Sequence, residues 1–293
     1  MNKVLTAIGS LLLVTLFGNA RPLDSAETKT RQSLLWKISR ADMKKPSYLF
    51  GTIHLLCPKD YVWTPVMKSS LKACKEVCFE MDMDDPSVMM QVASGMVDNS
   101  GKTLKDYFTA EDYKVIERFV TDSLKMSMLL FQQMKPAALQ SLFAASTLSC
   151  ANPVSYESNI MEQAKKQKME VTGLEEPREQ IALFNSLPVD SVISELLKTA
   201  RDFSKEKNEY QKMLAAYKDQ NLQQLFEIIE TSRSSGDDFT AFLDERNKKW
   251  IERMEERMEQ KPVFFAVGAG HLPGENGLIE LLRKSGYRVE PVR

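Results

Sequence analysis

The amino-acid sequence predicts an α/β (α+β) protein in which a mixed central β-sheet is interrupted by two long helical insertions. Apolar runs near both chain ends, at 33–56 and 262–292, have the length and composition of strands. Helical patterns fill most of the sequence between them. One strand at each end leads into a GxxH motif, Gly51 to His54 and Gly268 to His271. The paired motifs indicate that the two chain ends meet at one place.

The first half of the chain alternates strands with helices. Residues 33–39 and 47–56 predict a β-hairpin, because the polar link between them ends in proline. A short helix is expected over 66–75 and a strand over 76–83, where apolar residues alternate with Cys78, Glu80 and Asp82. Asp85-Pro86 then begins the first insertion, whose helices are expected at 104–108, 112–124, 137–150 and 158–167.

The second half repeats the scheme with a short strand and a longer insertion. The run 169–174 is short and contains β-branched residues, which predicts a strand that ends at Glu175. Further helices are expected over 178–185, 189–217, 222–231 and 238–259. The strand from Pro262, a helix over 277–285 and a strand over 287–292 complete the chain.

Residues 1–20 have the features of a signal peptide: a basic start with Lys3, an apolar core at 4–17 that is short for a membrane span, and small residues at 18–20. We therefore expect export to the periplasm or the medium, with no membrane span after cleavage. An uncleaved signal anchor is the alternative. The mature part, 21–293, is expected to form a single domain.

The charge balance argues against two classes of partner. Lysine and arginine number 39 against 40 acidic residues, which gives a net charge of −1. Nucleic acid and anionic membranes are therefore not expected as partners. Four cysteines, Cys57, Cys74, Cys78 and Cys150, allow one or two disulfides in an oxidising compartment. A metal role for Cys57, three residues after His54, is the weaker alternative.

His54 and His271 are the only histidines in the chain, and both follow a glycine at the end of an apolar strand. Glycine lets the backbone turn sharply and approach a ligand closely. Two neutral imidazoles with one or two carboxylates suit a divalent first-row metal and leave positions for water and substrate. The alternative for each histidine is an ordinary core or loop residue.

Two acidic residues and one arginine are further candidates. Glu80 lies among apolar strand neighbours, so it either pairs or binds a metal, unless the strand is an edge strand exposed to solvent. Glu175 would be a ligand, a partner of a ligand or a helix N-cap. Arg246 falls in an apolar helical stripe with Phe239, Trp250 and Met254. Its guanidinium therefore needs an oxyanion or a salt bridge with Glu80 or Glu175.

Five stretches of the sequence form a distinctive set: YLFGTIHLL at 48–56, Glu80 before Asp-Asp-Pro, GLEE at 173–176, Glu245-Arg246-Asn247 and the stretch from Phe264 to Val292. This set resembles the TraB/GumN family, which is related to the Tiki metalloproteases. The resemblance covers essentially the whole mature chain. HExxH, GxSxG, Walker and dinucleotide-binding motifs are absent from the sequence. Where relatives commonly have Gly-Tyr or Gly-Val-Asp, this chain has Ser155-Tyr156-Glu157, so no role is carried over for an aspartate there.

The resemblance implies a site with metal ligands His54, His271 and Glu80, and with Arg246 beside them. We expect an exported metal-dependent hydrolase that acts on peptides or proteins, with zinc, manganese, cobalt or iron as the cofactor. Glu80 or Glu175 would transfer protons and Arg246 would stabilise the oxyanion. The alternative is a non-catalytic protein of the same fold that binds a peptide, haem or metal.

Overall fold

The computed structural model describes residues 33–234 and 241–293. Their backbone contacts divide them into two compact units. The sheet unit comprises residues 33–85, 152–176, 212–234 and 241–293, and the helical unit comprises 86–151 and 177–211. The expected signal peptide, residues 1–20, lies outside the described residues, and the single domain over 21–293 stays a prediction.

Six strands form the sheet of the sheet unit, which confirms the predicted mixed sheet with strands from both ends of the chain. The strands are β1 (Leu35–Ser39), β2 (Ser47–Thr52), β3 (Glu76–Met81), β4 (Glu170–Glu175), β5 (Val263–Gly268) and β6 (Arg288–Pro291). Their order across the sheet is β4-β3-β5-β2-β1-β6. The expected hairpin is present, because β1 pairs antiparallel with β2.

Four neighbouring strands of this sheet run in the same direction. β4 pairs with β3, β3 with β5 and β5 with β2, all in parallel register. Parallel strands end at the same side of a sheet. We call the side formed by the ends of these four strands the carboxyl edge. Both GxxH segments leave the sheet there, since Thr52 pairs with Gly268 at the ends of β2 and β5.

The two inner strands of the parallel group, β3 and β5, are buried along their whole length. Burial of both faces is the usual state of inner parallel strands, which explains the continuous apolar run of β5, whereas β3 also buries Glu76 and Glu80. The alternative of an exposed edge strand for Glu80 is therefore wrong. The Glu80 side chain enters the interior, where an ionised carboxylate requires partners.

Eleven α-helices lie within the described residues, most of them near the predicted positions. They are α1 (Pro65–Lys72), α2 (Pro86–Gly95), α3 (Ala110–Arg118), α4 (Pro136–Ala145), α5 (Tyr156–Lys166), α6 (Pro177–Ser186), α7 (Val189–Arg201), α8 (Phe203–Lys218), α9 (Leu222–Ser234), α10 (Arg246–Gln260) and α11 (Leu278–Lys284). Short 3₁₀ or π turns occur elsewhere, including π turns at Phe119–Ser123 and Ala241–Glu245.

Several helix predictions differ from the structure. The segment expected as a helix over 104–108 is a 3₁₀ turn, and the helix expected over 112–124 changes to a π turn at Phe119.

The single helix expected over 189–217 is broken at Asp202, whose φ of −138° and ψ of 66° are not helical. The Asp202 carboxylate accepts hydrogen bonds from Ser204 Oγ and the Lys205 backbone N–H, so it caps the next helix. The helix expected over 238–259 has a π turn before α10, and residues 238–240 lie outside the described residues.

The helical unit has a hydrophobic core of its own. Phe119 packs edge-on against Phe143 and Phe203, with ring centroids 4.6 and 4.9 Å apart. Leu139 and Leu196 are fully buried in the same cluster. Within the described part of the chain, no helix has both the length and the apolar character needed to cross a membrane.

The cysteines settle one of the alternatives raised by the sequence. Cys74 and Cys78 are free and buried, and burial raises the pKa of each thiol to about 12. Cys57 and Cys150 are disulfide-bonded. A thiolate role for Cys57 as a metal ligand beside His54 is therefore wrong, because its sulfur is already bonded.

Candidate functional site

The carboxyl edge brings together all five residues that the sequence singled out. Glu175 is the last residue of β4, Glu80 is next to last in β3, and Arg246 begins α10. His54 lies two residues beyond β2, and His271 ends a 3₁₀ turn that follows β5. All of the side chains are largely buried, with side-chain exposures of 3% for Glu175, 5% for His271, 9% for Glu80 and 11% for Arg246. The His54 side chain is 11% exposed.

The two GxxH segments pack directly against each other. A Cβ added at Gly51 would lie 2.9 Å from Leu272 Cδ2 and 3.1 Å from Ala269 Cα. Only glycine leaves enough space for the second segment at this position. The Tyr217 hydroxyl donates to the Gly51 carbonyl at 2.9 Å and ties the turn to α8. The first glycine of the motif is therefore required for close packing.

Arg246 is the centre of the polar network. Its Nη2 donates to Glu80 Oε2 at 2.6 Å and to Glu175 Oε1 at 2.6 Å, and its Nε donates to Glu175 Oε2 at 3.1 Å. The guanidinium also lies 4.6 Å from the centroid of the Trp250 ring. A planar guanidinium suits such two-sided pairing with carboxylates. The sequence offered Glu80 or Glu175 as its partner, and Arg246 pairs with both.

Glu80 is held in its ionised form. Burial acts to raise the pKa of Glu80, but the charge of Arg246, the two histidines and a backbone hydrogen bond outweigh it and lower the pKa to about 2. The backbone bond comes from Gly268 N–H, which donates to Oε1 at 2.9 Å. Glu80 therefore offers a permanent negative charge in the middle of the carboxyl edge.

Glu175 accepts from two residues of α10. Besides Arg246, Trp250 Nε1 donates to Glu175 Oε2 at 3.1 Å. Helix α6 begins at Pro177, so the N-cap position expected for Glu175 belongs to Glu176. The Glu175 carboxylate instead fixes the position of the Arg246 guanidinium.

His271 is held as a neutral imidazole with a defined tautomer. Arg246 Nη1 lies 3.2 Å from His271 Nε2, and because guanidinium nitrogens only donate, Nε2 is the acceptor. The proton is therefore on Nδ1, which lies 2.6 Å from Asn247 Oδ1. Burial, followed by the positive charge of Arg246, lowers the pKa of His271 to about 3. The ring also stacks on Trp250, with centroids 4.4 Å apart.

His54 has a different partner. Its Nδ1 lies 2.8 Å from Glu157 Oε1, and Thr52 Oγ1 donates to the same oxygen at 2.5 Å. Burial acts to lower the pKa of His54, but the Glu157 carboxylate outweighs burial and raises it. Conversely, burial acts to raise the pKa of Glu157, and His54 outweighs burial and lowers it. Glu157 is therefore ionised and accepts a hydrogen bond from the Nδ1–H group of His54.

Three of these side chains surround one small space. A Cβ added at Gly268 would lie 3.3 Å from Glu80 Oε1, 3.6 Å from His54 Nε2 and 3.7 Å from His271 Cδ2. The absence of a side chain at Gly268 keeps this space clear. Imidazole nitrogens whose other ring nitrogen donates to an acceptor, together with a carboxylate oxygen, match the donor chemistry of a divalent metal site.

The described side chains do not already form a closed metal cage. Among residues 33–234 and 241–293, no three His, Cys, Asp or Glu side chains gather closely enough to hold a metal. His271 Nε2 lies 3.9 Å from Glu80 Oε1, and Arg246 donates to both residues. The donors fit a metal in chemical type. Binding one would require Arg246 Nη1 to release His271 Nε2.

Sequence reasoning missed three residues of this network: Glu157, Asn247 and Trp250. Asn247 and Trp250 lie one and four residues after Arg246, so helical spacing places Trp250 on the same face. Asn247 was quoted only as part of a motif. Glu157 follows Ser155, whose hydroxyl caps α5 by accepting from Ser158 N–H. The indication that the sequence offered for Glu157 was an acidic residue in the first turn of an N-capped helix.

Comparison with known protein families gives one match across most of the chain. The family model described as the TraB/PrgY/gumN family matches residues 34–291. This range contains every residue of the network described above.

Several curated relatives are named metalloproteases. Metalloprotease TIKI2 of Danio rerio is 24% identical over 89% of this chain and 61% of its own length. Metalloprotease TIKI1 of Danio rerio is 27% identical over 88% and 63%, and human Metalloprotease TIKI1 is 24% identical over 91% and 64%. The chain thus spans less than two thirds of the length of these relatives. No solved structure matches it significantly.

Proposed function

This chain belongs to the TraB/PrgY/gumN family, and on that basis we propose that it is an exported, metal-dependent hydrolase that cleaves peptide bonds. Relatives that are named metalloproteases support the reaction class. The observation that carries the proposal is the meeting of His54, His271 and Glu80 with Arg246 at the ends of parallel strands. Such edges are the usual location of active sites in α/β folds.

His54, His271 and Glu80 would hold the metal. The proposal is supported by the neutral, Nδ1-protonated form of His271 and by the ionised state of Glu80. The small space beside Gly268 leaves access to His54 Nε2 and Glu80 Oε1. A divalent zinc, manganese, cobalt or iron ion bound there would make water more acidic and polarise a peptide carbonyl.

We propose different roles for the two carboxylates, Glu80 and Glu175. Glu80 Oε1 faces the space beside Gly268, so it is the better placed of the two to accept a proton from water. Both oxygens of Glu175 accept from Arg246, and one also accepts from Trp250. Glu175 would therefore act mainly by holding Arg246, although it also lies at the site.

Arg246 would stabilise negative charge on the substrate oxygen. Its guanidinium is buried, is fixed by two carboxylates and lies next to the proposed ligand His271. Once Nη1 has released His271 to the metal, a guanidinium still held by Glu80 and Glu175 offers an oriented donor as charge develops, which is how oxyanion-stabilising groups lower a barrier. Cleavage of peptides or proteins is the reaction for which this set of side chains is suited.

Export is part of the same proposal. The sequence features of residues 1–20 and the disulfide-bonded state of Cys57 and Cys150 support an oxidising compartment, either periplasmic or extracellular.

A peptide-library cleavage assay tests this function. We expect cleavage by the metal-loaded protein, loss of cleavage on chelation and recovery when metal is restored. Arg246→Lys should lower kcat by about 100- to 1,000-fold, because lysine keeps the charge but loses the forked geometry. KM should change little, since the lost interaction forms in the transition state.

Arg257→Lys is the matched control. Arg257 lies on the same helix and pairs with buried Glu76, at the opposite end of β3 from Glu80. Its kcat should equal that of the unaltered protein. Cleavage that survives chelation, or an Arg246→Lys variant with full kcat, would contradict the proposal. Binding of a peptide or haem without any cleavage would favour the non-catalytic alternative.

A further inference from the structure

The two histidines, which occupy matched positions in the sequence, have chemically different partners. His54 Nδ1 faces the carboxylate of Glu157 at 2.8 Å, whereas His271 Nδ1 faces the amide oxygen of Asn247 at 2.6 Å. A carboxylate carries a full charge and an amide does not. The matched GxxH motifs therefore do not produce two equivalent imidazoles.

The hydrogen bonds around each partner fix its orientation. Asn247 Nδ2 donates to the carbonyls of His271 and Asn276 at 3.3 and 2.8 Å, so its oxygen must face the His271 ring. Glu157 accepts from Thr52 Oγ1 through one oxygen and from Ser155 Oγ through the other, the latter at 2.8 Å. Neither partner can turn away from its histidine without breaking these bonds.

We infer that Glu157 is a positioning residue of the site, which fixes the His54 ring with Nε2 toward the space beside Gly268 and makes it the stronger electron donor of the two histidines. The charge of Glu157 acts through the Nδ1–H bond, as carboxylates do behind metal-bound histidines. Glu157 is itself 4% exposed, and the hydroxyls of Thr52 and Ser155 hold its carboxylate in place beside the ring. This inference rests on the proposed function, because a metal ligand is the role that such a ring would serve.

Nuclear magnetic resonance of the imidazole nitrogens tests the inference directly, since the chain contains only two histidines. In full-length, chelator-treated protein we expect both rings to carry the proton on Nδ1, with the His54 Hδ1 signal further downfield because its acceptor is charged. In Glu157→Gln, the His54 Hδ1 signal should move upfield or disappear. His271 is the internal reference and should not change.

Metal titration supplies the second measurement. Glu157→Gln should bind zinc about 10- to 100-fold more weakly than the unaltered protein. Glu157→Asp keeps the charge and should retain the downfield signal with a smaller loss of affinity. Glu162→Gln is the matched control, because Glu162 lies on the same helix, is exposed and pairs with Lys166.

Three results would overturn the inference: an unaltered protein in which His54 carries its proton on Nε2 alone, a Glu157→Gln variant with unchanged His54 signals, or one with unchanged zinc affinity. The first needs no variant, so the test holds even if Glu157→Gln fails to fold. Absence of zinc binding by the unaltered protein would contradict the proposed function instead. The nitrogen spectra would then still decide whether Glu157 orients the ring.

Discussion

Gly268 controls the space between the proposed metal ligands. It is the last residue of β5, its backbone N–H donates to Glu80, and its missing side chain leaves room beside His54 Nε2. Its φ of −54° and ψ of 134° are open to any residue. Conformational freedom is therefore not the reason for glycine here, and the need for space within the site explains it better.

Gly268→Ala should separate function from folding. The added methyl would lie 3.3 to 3.7 Å from atoms of Glu80, His54 and His271. We expect cleavage to fall about 100-fold, because small displacements of catalytic groups have effects of that size. The free energy of unfolding should change by less than about 1 kcal/mol, since alanine is compatible with this backbone.

Gly270→Ala is the matched control for this substitution. Its methyl would meet only Ile229 Cδ1 at 3.3 Å and Leu243 Cδ2 at 4.0 Å among atoms within contact distance. Peptide cleavage and chemical denaturation would be measured for both variants. Equal cleavage by the Gly268→Ala variant and the unaltered protein would show that the space beside Gly268 is not used.

At the residue scale, the sequence predicted which side chains lie together better than it predicted their hydrogen-bond partners. Each candidate residue is a rare histidine or a charged residue in apolar surroundings, which is why the sequence indicated it. The candidates are His54, His271, Glu80, Glu175 and Arg246. Glu157 was not visible as a partner, because it lies 103 positions from His54. Nothing in local spacing reports a contact over that distance.

At the scale of elements, the strand β4 positions Glu175 through unusually close packing against β3. A Cβ added at Gly173 would lie 2.6 Å from Met81 C and 2.8 Å from Met81 Cα, and nearer still to the Asp82 backbone nitrogen. These are main-chain atoms, which cannot move aside as a flexible side chain can. The Gly173 carbonyl also accepts from Arg257 Nη2 at 2.9 Å.

Gly173→Ala should therefore destabilise the protein and impair the site together. We expect a loss of about 1 to 3 kcal/mol in the free energy of unfolding, the usual range for overpacking. Displacement of β4 would carry Glu175 away from Arg246, so cleavage should fall as well. Denaturation curves beside those of Gly270→Ala provide the measurement, and equal stability of the two variants would contradict this view of β4.

Element boundaries show where sequence patterns are informative. Strands ended by glycine or proline, such as β2 and β5, were predicted closely, because these residues mark turns. The break between α7 and α8 was missed, because the helix ends at Asp202 and neither glycine nor proline marks the break. Its capping bond to Lys205 N–H competes with helical continuation, and single-helix periodicity does not reveal that competition.

At the scale of the whole molecule, the order of the strands decides which residues meet. β3 and β5, which the chain separates by 181 positions between Met81 and Val263, are neighbours in the sheet. The sequence predicted strands from both chain ends, and it could not predict that order, because strand pairing depends on long-range packing. Parallel pairing then brings the ends of four strands to one edge.

Metal analysis tests most directly whether this edge is one metal site. The full-length protein, purified without chelator, would be compared with His54→Ala and His271→Ala, after circular dichroism has shown that all three are folded. We expect about one metal ion per chain in the unaltered protein and loss of metal in both variants, since three protein ligands are the usual number at a catalytic site. Full metal content in either variant, or none in the unaltered protein after addition of zinc, manganese, cobalt or iron, would contradict a shared site.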